Sequence, residues 1–179
     1  MTLISTVLLH SGVATARRRG VYAAVLLGLL TIGSAADAAS VRHGVAALSR
    51  QDFTSASRIF IPLAEAGDPV AQAYLGMMFR TGRGVPQNYT MAAFWYGRSA
   101  EQGYGPAQYA LGLLYDRGQG VPQDIVEASK WLNLSAAAAN GGEREPRVRI
   151  RDAVTTKMTR GEIAQARRQA LEWVPLPER

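Results

Sequence analysis

The chain contains no cysteine. This absence excludes disulfides, thiolate metal ligands and cysteine nucleophiles. Histidine is almost as scarce, since only His10 and His43 occur in 179 residues. Because His10 falls in a segment that we expect to be removed, a single histidine remains, which excludes most histidine-based triads and zinc sites. The sequence therefore predicts no catalytic residues, no metal and no cofactor, and we expect the protein not to be an enzyme.

Long apolar runs and strong charge of one sign are also missing. The longest apolar stretch covers residues 21–32 and is shorter than the roughly 18–20 residues that a membrane-spanning helix needs. It follows Arg17, Arg18 and Arg19 and precedes a run of small residues, which is the order found in a secretory signal peptide. We expect cleavage after Ala38, with Ala36 and Ala39 as alternative sites and a retained membrane anchor as the alternative outcome.

Removal of residues 1–38 leaves 17 basic and 13 acidic side chains, a formal net charge of +4. Such a small excess is not typical of a nucleic-acid-binding protein. We therefore predict a periplasmic or secreted protein that has no nucleic-acid partner and meets the membrane only transiently during export.

The sequence is rich in glycine and alanine, and its glycines recur at a fixed interval. Residues 71–106 align without a gap on residues 107–142, and 14 of the 36 positions are identical. A period between 20 and 50 residues indicates stacked supersecondary units. We predict a partial unit at 41–70 and full units at 71–106 and 107–142.

Each full unit has the pattern of two helices. Ala71, Leu75 and Phe79 are spaced as one face of a first helix. The segment Gly82–Pro86 then ends that helix, because glycine adopts the left-handed conformation of a helix terminus and proline prevents continuation. This explains the Gly-x-Gly pairs better than a dinucleotide-binding loop does, since no strand precedes them.

Asn88 and Asp124 are suited to cap the second helices. Gly76 and Gly112 lie inside the first helices, where glycine costs about 1 kcal/mol, and we predict that they allow the second helix to approach closely. The three tryptophans are predicted to be core residues. After the last unit, residues 143–174 are predicted to form two capping helices, with Thr159 and Glu162 spaced as a capping box, and residues 175–179 an extended tail.

The pattern A-x-x-x-L-G-x-x-Y/F-x-x-G-x-G-V-P-Q-D/N, followed by A-x-x-W and A-E-x-G, resembles the Sel1-like repeat. It stands here as residues 71–103 and 107–140. The resemblance implies an all-α fold, a short right-handed α-solenoid related to tetratricopeptide repeats, used as a protein-interaction scaffold in bacterial envelopes. The third unit lacks the A-E-x-G ending, which leaves the geometry of its last turn open.

By analogy with tetratricopeptide-like solenoids, the first helices would line a concave binding surface. The candidate partner-binding residues are those beside the packing stripe that differ between copies: Ala73, Met77, Arg80, Tyr109, Leu113 and Asp116. Burial of Met77 and Leu113 is the structural alternative. The functional alternative is an envelope protein that binds a cell-wall or glycan fragment, with weak turnover by paired carboxylates.

Overall fold

The computed structural model describes residues 39–176 as a chain of helices. Within that range it contains eight α-helices, one 3₁₀ helix and no strand, which confirms the all-α prediction. The first helix, α1, occupies residues 39–49, and the others are α2 (Phe53–Glu65), α3 (Pro69–Thr81), α4 (Tyr89–Glu101), α5 (Gly105–Arg117), α6 (Ile125–Ala138), a 3₁₀ turn (Gly141–Glu143), α7 (Arg144–Thr155) and α8 (Arg160–Glu172). The predicted signal peptide and the last three residues of the predicted tail lie outside the described residues.

The helix boundaries follow local side-chain chemistry. Asn88 accepts a hydrogen bond from the backbone of Met91, and Asp124 accepts from Val126 and Glu127, so both predicted N-caps are confirmed. Thr159 and Glu162 form the reciprocal bonds of a capping box at the start of α8. These contacts satisfy backbone N–H groups that have no partner inside the first turn of a helix.

Glycine allows the two helices of each unit to pack closely, as predicted. A Cβ placed on Gly76 in α3 would lie 2.9 Å from the Tyr96 ring of α4, and one on Gly112 in α5 would lie 2.8 Å from Leu132 of α6. Gly44 of α1 takes the same position against Phe60 of α2, with 2.6 Å to the nearest ring atom. The partial unit predicted at 41–70 is therefore a helix pair like the full ones, and only the packing role of Gly44 was not predicted from the sequence.

The core is divided among the interfaces between helices. One cluster joins α1, α2, α3 and α4 around Phe60, Leu75 and Met78, and a second joins α3, α4, α5 and α6 around Leu111 and Leu114. Trp95 belongs to the first cluster and Trp131 to the second, and both are buried as predicted. Such units bury their apolar faces only when they are stacked on their neighbours.

Polar links recur at the same places in successive units. The Gln72 side chain donates to the Ala64 carbonyl, and the Gln108 side chain donates to the Ala100 carbonyl, 36 residues on. The Ser99 hydroxyl donates to the Pro69 carbonyl at 2.6 Å. Its copy in the next unit, Ser135, donates to Gly105 at 2.8 Å. These bonds satisfy buried carbonyl groups near the helix ends and explain why glutamine and serine recur in both copies.

The turn that ends the third unit differs from the two before it. Gly67 and Gly103 end the second helices of their units with φ angles of +98° and +90°. The equivalent residue in the third unit is Ala139, which is extended, with φ −79° and ψ 138°. Alanine rarely adopts positive φ. The chain therefore changes direction two residues later, at Gly141 with φ +56°, and in the 3₁₀ turn before α7.

The helices α7 and α8 close the described chain as a fourth pair. Val154 of α7 packs with Ala128 and Leu132 of α6. Trp173, the third tryptophan predicted for the core, lies just after α8 and is only half-buried. Its ring meets that of Trp131 edge-on at a centroid distance of 6.2 Å.

Candidate binding surface

Ala73, the first of the candidate residues on α3, is buried. It is 8% exposed and lies in the cluster that contains Leu111 and Leu114 of α5. Ala73 therefore packs between units and offers no surface to a partner. The prediction assumed that each first helix packs only on the second helix of its own unit. In a stack of units it must also pack on the unit that follows, and Ala73 lies on this second packing face.

Tyr109 and Asp116 occupy the corresponding face of α5. Tyr109 packs against the cluster formed by Ala128, Leu132 and Val154. Asp116 is 14% exposed and forms an ion pair with Lys157, with 2.9 Å between Oδ1 and Nζ. Both side chains therefore contact the terminal helix pair in this structure.

Arg80, Met77 and Leu113 keep exposed surface. Arg80 lies at the end of α3 and is exposed, while Met77 and Leu113 are half-buried. Arg80 also hydrogen-bonds Tyr96, and burial raises the pKa of that phenol despite this contact. Tyr96 is therefore neutral across the physiological range and serves as a packing and hydrogen-bonding group.

The residues that keep accessible surface on the first helices coincide only in part with the predicted set, since Met77 and Leu113 belong to both. On α3 they include Tyr74 and Met77, and on α5 Ala110 and Leu113, with the spacing of one helical face. In α1 the equivalent of Met77, taking Gly44 and Gly76 as matching positions, is Val45, which is 36% exposed. We call this set the open row; it consists of Val45, Tyr74, Met77, Ala110, Leu113 and Arg117.

The open row has a rigid aromatic centre. The Tyr74 ring stacks on the buried Phe60 ring at a centroid distance of 4.9 Å and an interplanar angle of 16°. Met77 packs beside it against residues of both neighbouring core clusters. The row thus combines an anchored aromatic, adaptable aliphatic side chains and, at Arg117, one exposed cation, a composition suited to protein recognition.

The carboxylates that might have served a hydrolase are engaged in structural contacts. Asp124 caps α6, and Asp116 pairs with Lys157. Glu127 accepts from Lys130 and from the indole N–H of Trp131. Among residues 39–176 no group of three or more metal-ligating side chains lies close enough to hold an ion. Nothing in these contacts brings two carboxylates together across a cleft.

Within the described range, no helix combines the length and apolar character that crossing a membrane requires.

The helices are stacked in pairs, each of the first three pairs has a packing glycine, and the first helices carry the open row. This arrangement defines a helical-repeat scaffold. Residues 69–104 and 105–140 match the Sel1 repeat family. These two segments therefore carry Sel1 repeats, at the same period of 36 residues as the internal alignment. Members of this repeat family generally act as non-enzymatic scaffolds for protein–protein contacts.

Solved structures show the same fold. The protein is similar to c5321, a protective antigen of uropathogenic Escherichia coli with an SLR fold, at 28% identity and a TM-score of 0.70. It is also similar to a Sel1 repeat protein from Oxalobacter formigenes, at 27% identity and a TM-score of 0.58. Each match covers 76% of this chain but only 29% and 55%, respectively, of the other protein. No curated protein matches the sequence.

Proposed function

We propose that this protein is a non-enzymatic scaffold of the bacterial envelope that binds a protein partner along the first helices α1, α3 and α5. The observation that supports this proposal is the open row. Its positions 74 and 77 recur at the repeat period as 110 and 113, and their side chains keep accessible surface although several of them also pack on the core. Repeat scaffolds use such continuous surfaces on successive units to bind extended or helical segments.

The chemistry of the row indicates an apolar segment as the part of the partner that is bound. Tyr74, Met77 and Leu113 would provide the central contacts, because aromatic and flexible aliphatic side chains dominate the energetics of interfaces. Arg117 and Arg80 lie near the helix ends, where they would select for acidic residues at the margin of that segment. Ala73, Tyr109 and Asp116 would act indirectly, by holding neighbouring units in place.

The test is affinity capture of the tagged protein from its own envelope fraction with single variants. Met77→Glu and Leu113→Glu place a charge in the middle of the open row and should reduce recovery of the partner at least tenfold. Ile61→Glu on the second helix α2 is the matched control, because Ile61 is also an exposed aliphatic residue. Unchanged recovery with both row variants, at unchanged helicity and melting temperature, would refute binding at this surface.

Export forms part of the same proposal and rests on residues 17–38. The native protein should begin between Asp37 and Ser40 and should be recovered outside the cytoplasm. Mass spectrometry of the purified native protein checks this point. A mass that includes residues 1–30 would contradict cleavage of the signal peptide. It would not affect the proposed binding surface, which the capture experiment tests independently.

A further inference from the structure

The three most exposed large apolar side chains of the described chain lie within six residues of one another, near its C-terminal end. Leu171 is 87% exposed, Val174 70% and Leu176 61%. The other large apolar residues with substantial exposure are Val45, Ile61 and Phe94, at 36–51%, on α1, α2 and α4. Concentrated exposure of this kind marks an interaction site more often than scattered apolar residues do. We call Leu171, Val174 and Leu176 the C-terminal patch.

The C-terminal patch is held in place by the backbone that carries it. The Leu176 N–H donates to the Glu101 carbonyl at 2.8 Å, which fixes the segment after α8 against the turn between α4 and α5. Trp173 and Pro175 face this turn, within 3.6 Å and 3.7 Å of a Cβ built on Gly103. Val174 and Leu176, which alternate with these two residues along the chain, are mostly exposed.

Charged residues of both signs flank the patch on α8. Arg168 and Glu172 lie three residues before and one residue after Leu171, and all three are exposed. Arg168 and Glu172 share one helical face because they are four residues apart. Neither forms an ion pair with another residue of the range 39–176.

We propose that the C-terminal patch is the contact between two copies of this chain, related by a two-fold axis with their α8 helices antiparallel. A two-fold interface uses the same surface twice, so it must be complementary to itself. The patch meets this requirement, since an antiparallel copy sets Arg168 of each chain opposite Glu172 of the other, with the two Leu171 side chains between them. The side chains protrude rather than line a groove, which favours interdigitation with an identical surface over the reception of a peptide.

The expected dimer is weak and reversible. A stable interface buries about 800 Å² on each partner, and three aliphatic side chains with their flanking charges supply less than this. Sedimentation velocity of the purified chain over a range of concentrations should therefore show a monomer–dimer equilibrium. Leu171→Ser should weaken association at least tenfold, and Ile61→Ser, an aliphatic-to-serine change on α2, should leave it unchanged.

A charge exchange tests the antiparallel arrangement directly. Arg168→Glu alone and Glu172→Arg alone should each weaken the dimer, because each places like charges opposite one another. The double variant Arg168→Glu/Glu172→Arg restores opposite charges across the axis and should regain most of the lost affinity. Circular dichroism should be unchanged in all variants, because these residues are exposed.

Three results would overturn the proposal. One is a strictly monomeric chain at every concentration. Another is a dimer that is insensitive to Leu171→Ser, which would place the interface elsewhere. The third is a monomer that sediments with phosphatidylglycerol vesicles through Leu171, which would make the patch a lipid contact.

Discussion

Trp95 and Trp131 occupy the same repeat position, yet only one of the two indole N–H groups has a hydrogen-bond partner. In α6 the Trp131 Nε1 donates to the Glu127 carboxylate at 3.1 Å. In α4 the residue equivalent to Glu127 is Met91, and the buried Trp95 Nε1 has no acceptor among the described residues. A buried donor without a partner costs about 1–3 kcal/mol.

Replacement of Met91 by glutamine should supply the missing acceptor. We expect Met91→Gln to raise the free energy of unfolding by about 1 kcal/mol, because the gained hydrogen bond exceeds the lost thioether packing. The reciprocal change, Glu127→Met, should lower it by about 1–3 kcal/mol by leaving the Trp131 indole unpaired. Urea denaturation measures both, and a stability-neutral Glu127→Met would contradict the argument.

Individual packing residues could be predicted from the sequence more readily than contact residues. Ala71, Leu75 and Gly112 recur at the period because each faces an equivalent neighbour in every unit. Positions 73 and 109 vary for a different reason. Ala73 faces α5, whereas Tyr109 faces the cluster shared by α6 and α7, so each adapts to a different next unit. A position that differs between the two copies can either face a different neighbouring unit or lie on free surface. The sequence alone could not distinguish these two cases.

At the scale of helix pairs, the glycines in the first helices set the distance to the second helices. Gly112→Leu should lower the free energy of unfolding by more than about 2 kcal/mol, because the added side chain would collide with Leu132 and the Ala128 carbonyl. Gly97 of α4 is the matched control, since a Cβ there would meet nothing within 4 Å. Gly97→Ala should stabilise the protein by about 0.5–1 kcal/mol through helix propensity. A melting temperature of the Gly112→Leu variant equal to that of the wild type would refute the packing role of Gly112.

The capping box of α8 should make part of the stability depend on pH. Hydrogen bonds from the Thr159 backbone and hydroxyl lower the pKa of Glu162 below its ordinary value of 4.5. A lowered folded-state pKa stabilises the protein above the unfolded-state value, and this contribution is lost as the pH falls through the folded value. The melting-temperature difference between wild type and Glu162→Ala should therefore be constant near neutral pH and shrink below pH 4.5. A difference that grows on acidification would contradict this assignment.

Some element boundaries could be derived from the sequence and others could not. Asn88, Asp124 and Thr159 act locally, so their capping roles were predictable from neighbouring residues. The equivalence of Gly44 and Gly76 does not show in an alignment at the 36-residue period, because the turn after α1 is four residues shorter and the two glycines are 32 residues apart. The conformation of the turn at Ala139 could not be derived from the sequence, because without glycine several backbone paths could connect α6 to α7.

Across the whole described chain, stability is distributed over neighbouring interfaces, as in other repeat proteins. The C-terminal segment is an exception, because it joins parts that are distant in sequence. Trp173 follows the last helix but packs on Trp131 of α6, and Leu176 bonds to Glu101 of α4. This contact connects the terminal pair directly to the second and third units, so it should make their unfolding more cooperative.

Removal of the Trp173 side chain tests that connection. Trp173→Ala should lower the free energy of unfolding by about 2 kcal/mol, less than the cost of truncating a fully buried aromatic residue because the indole is half-buried. It should also increase hydrogen exchange in α8 more than in α3, since the C-terminal end of α8 would lose its aromatic contact with α6. Val174→Ala, on the same segment but 70% exposed, should change stability by less than about 0.5 kcal/mol. Both variants are compared by urea denaturation at a protein concentration low enough to keep the chain monomeric. Equal stability of the two variants would show that the C-terminal segment rests on the surface without securing the terminal pair.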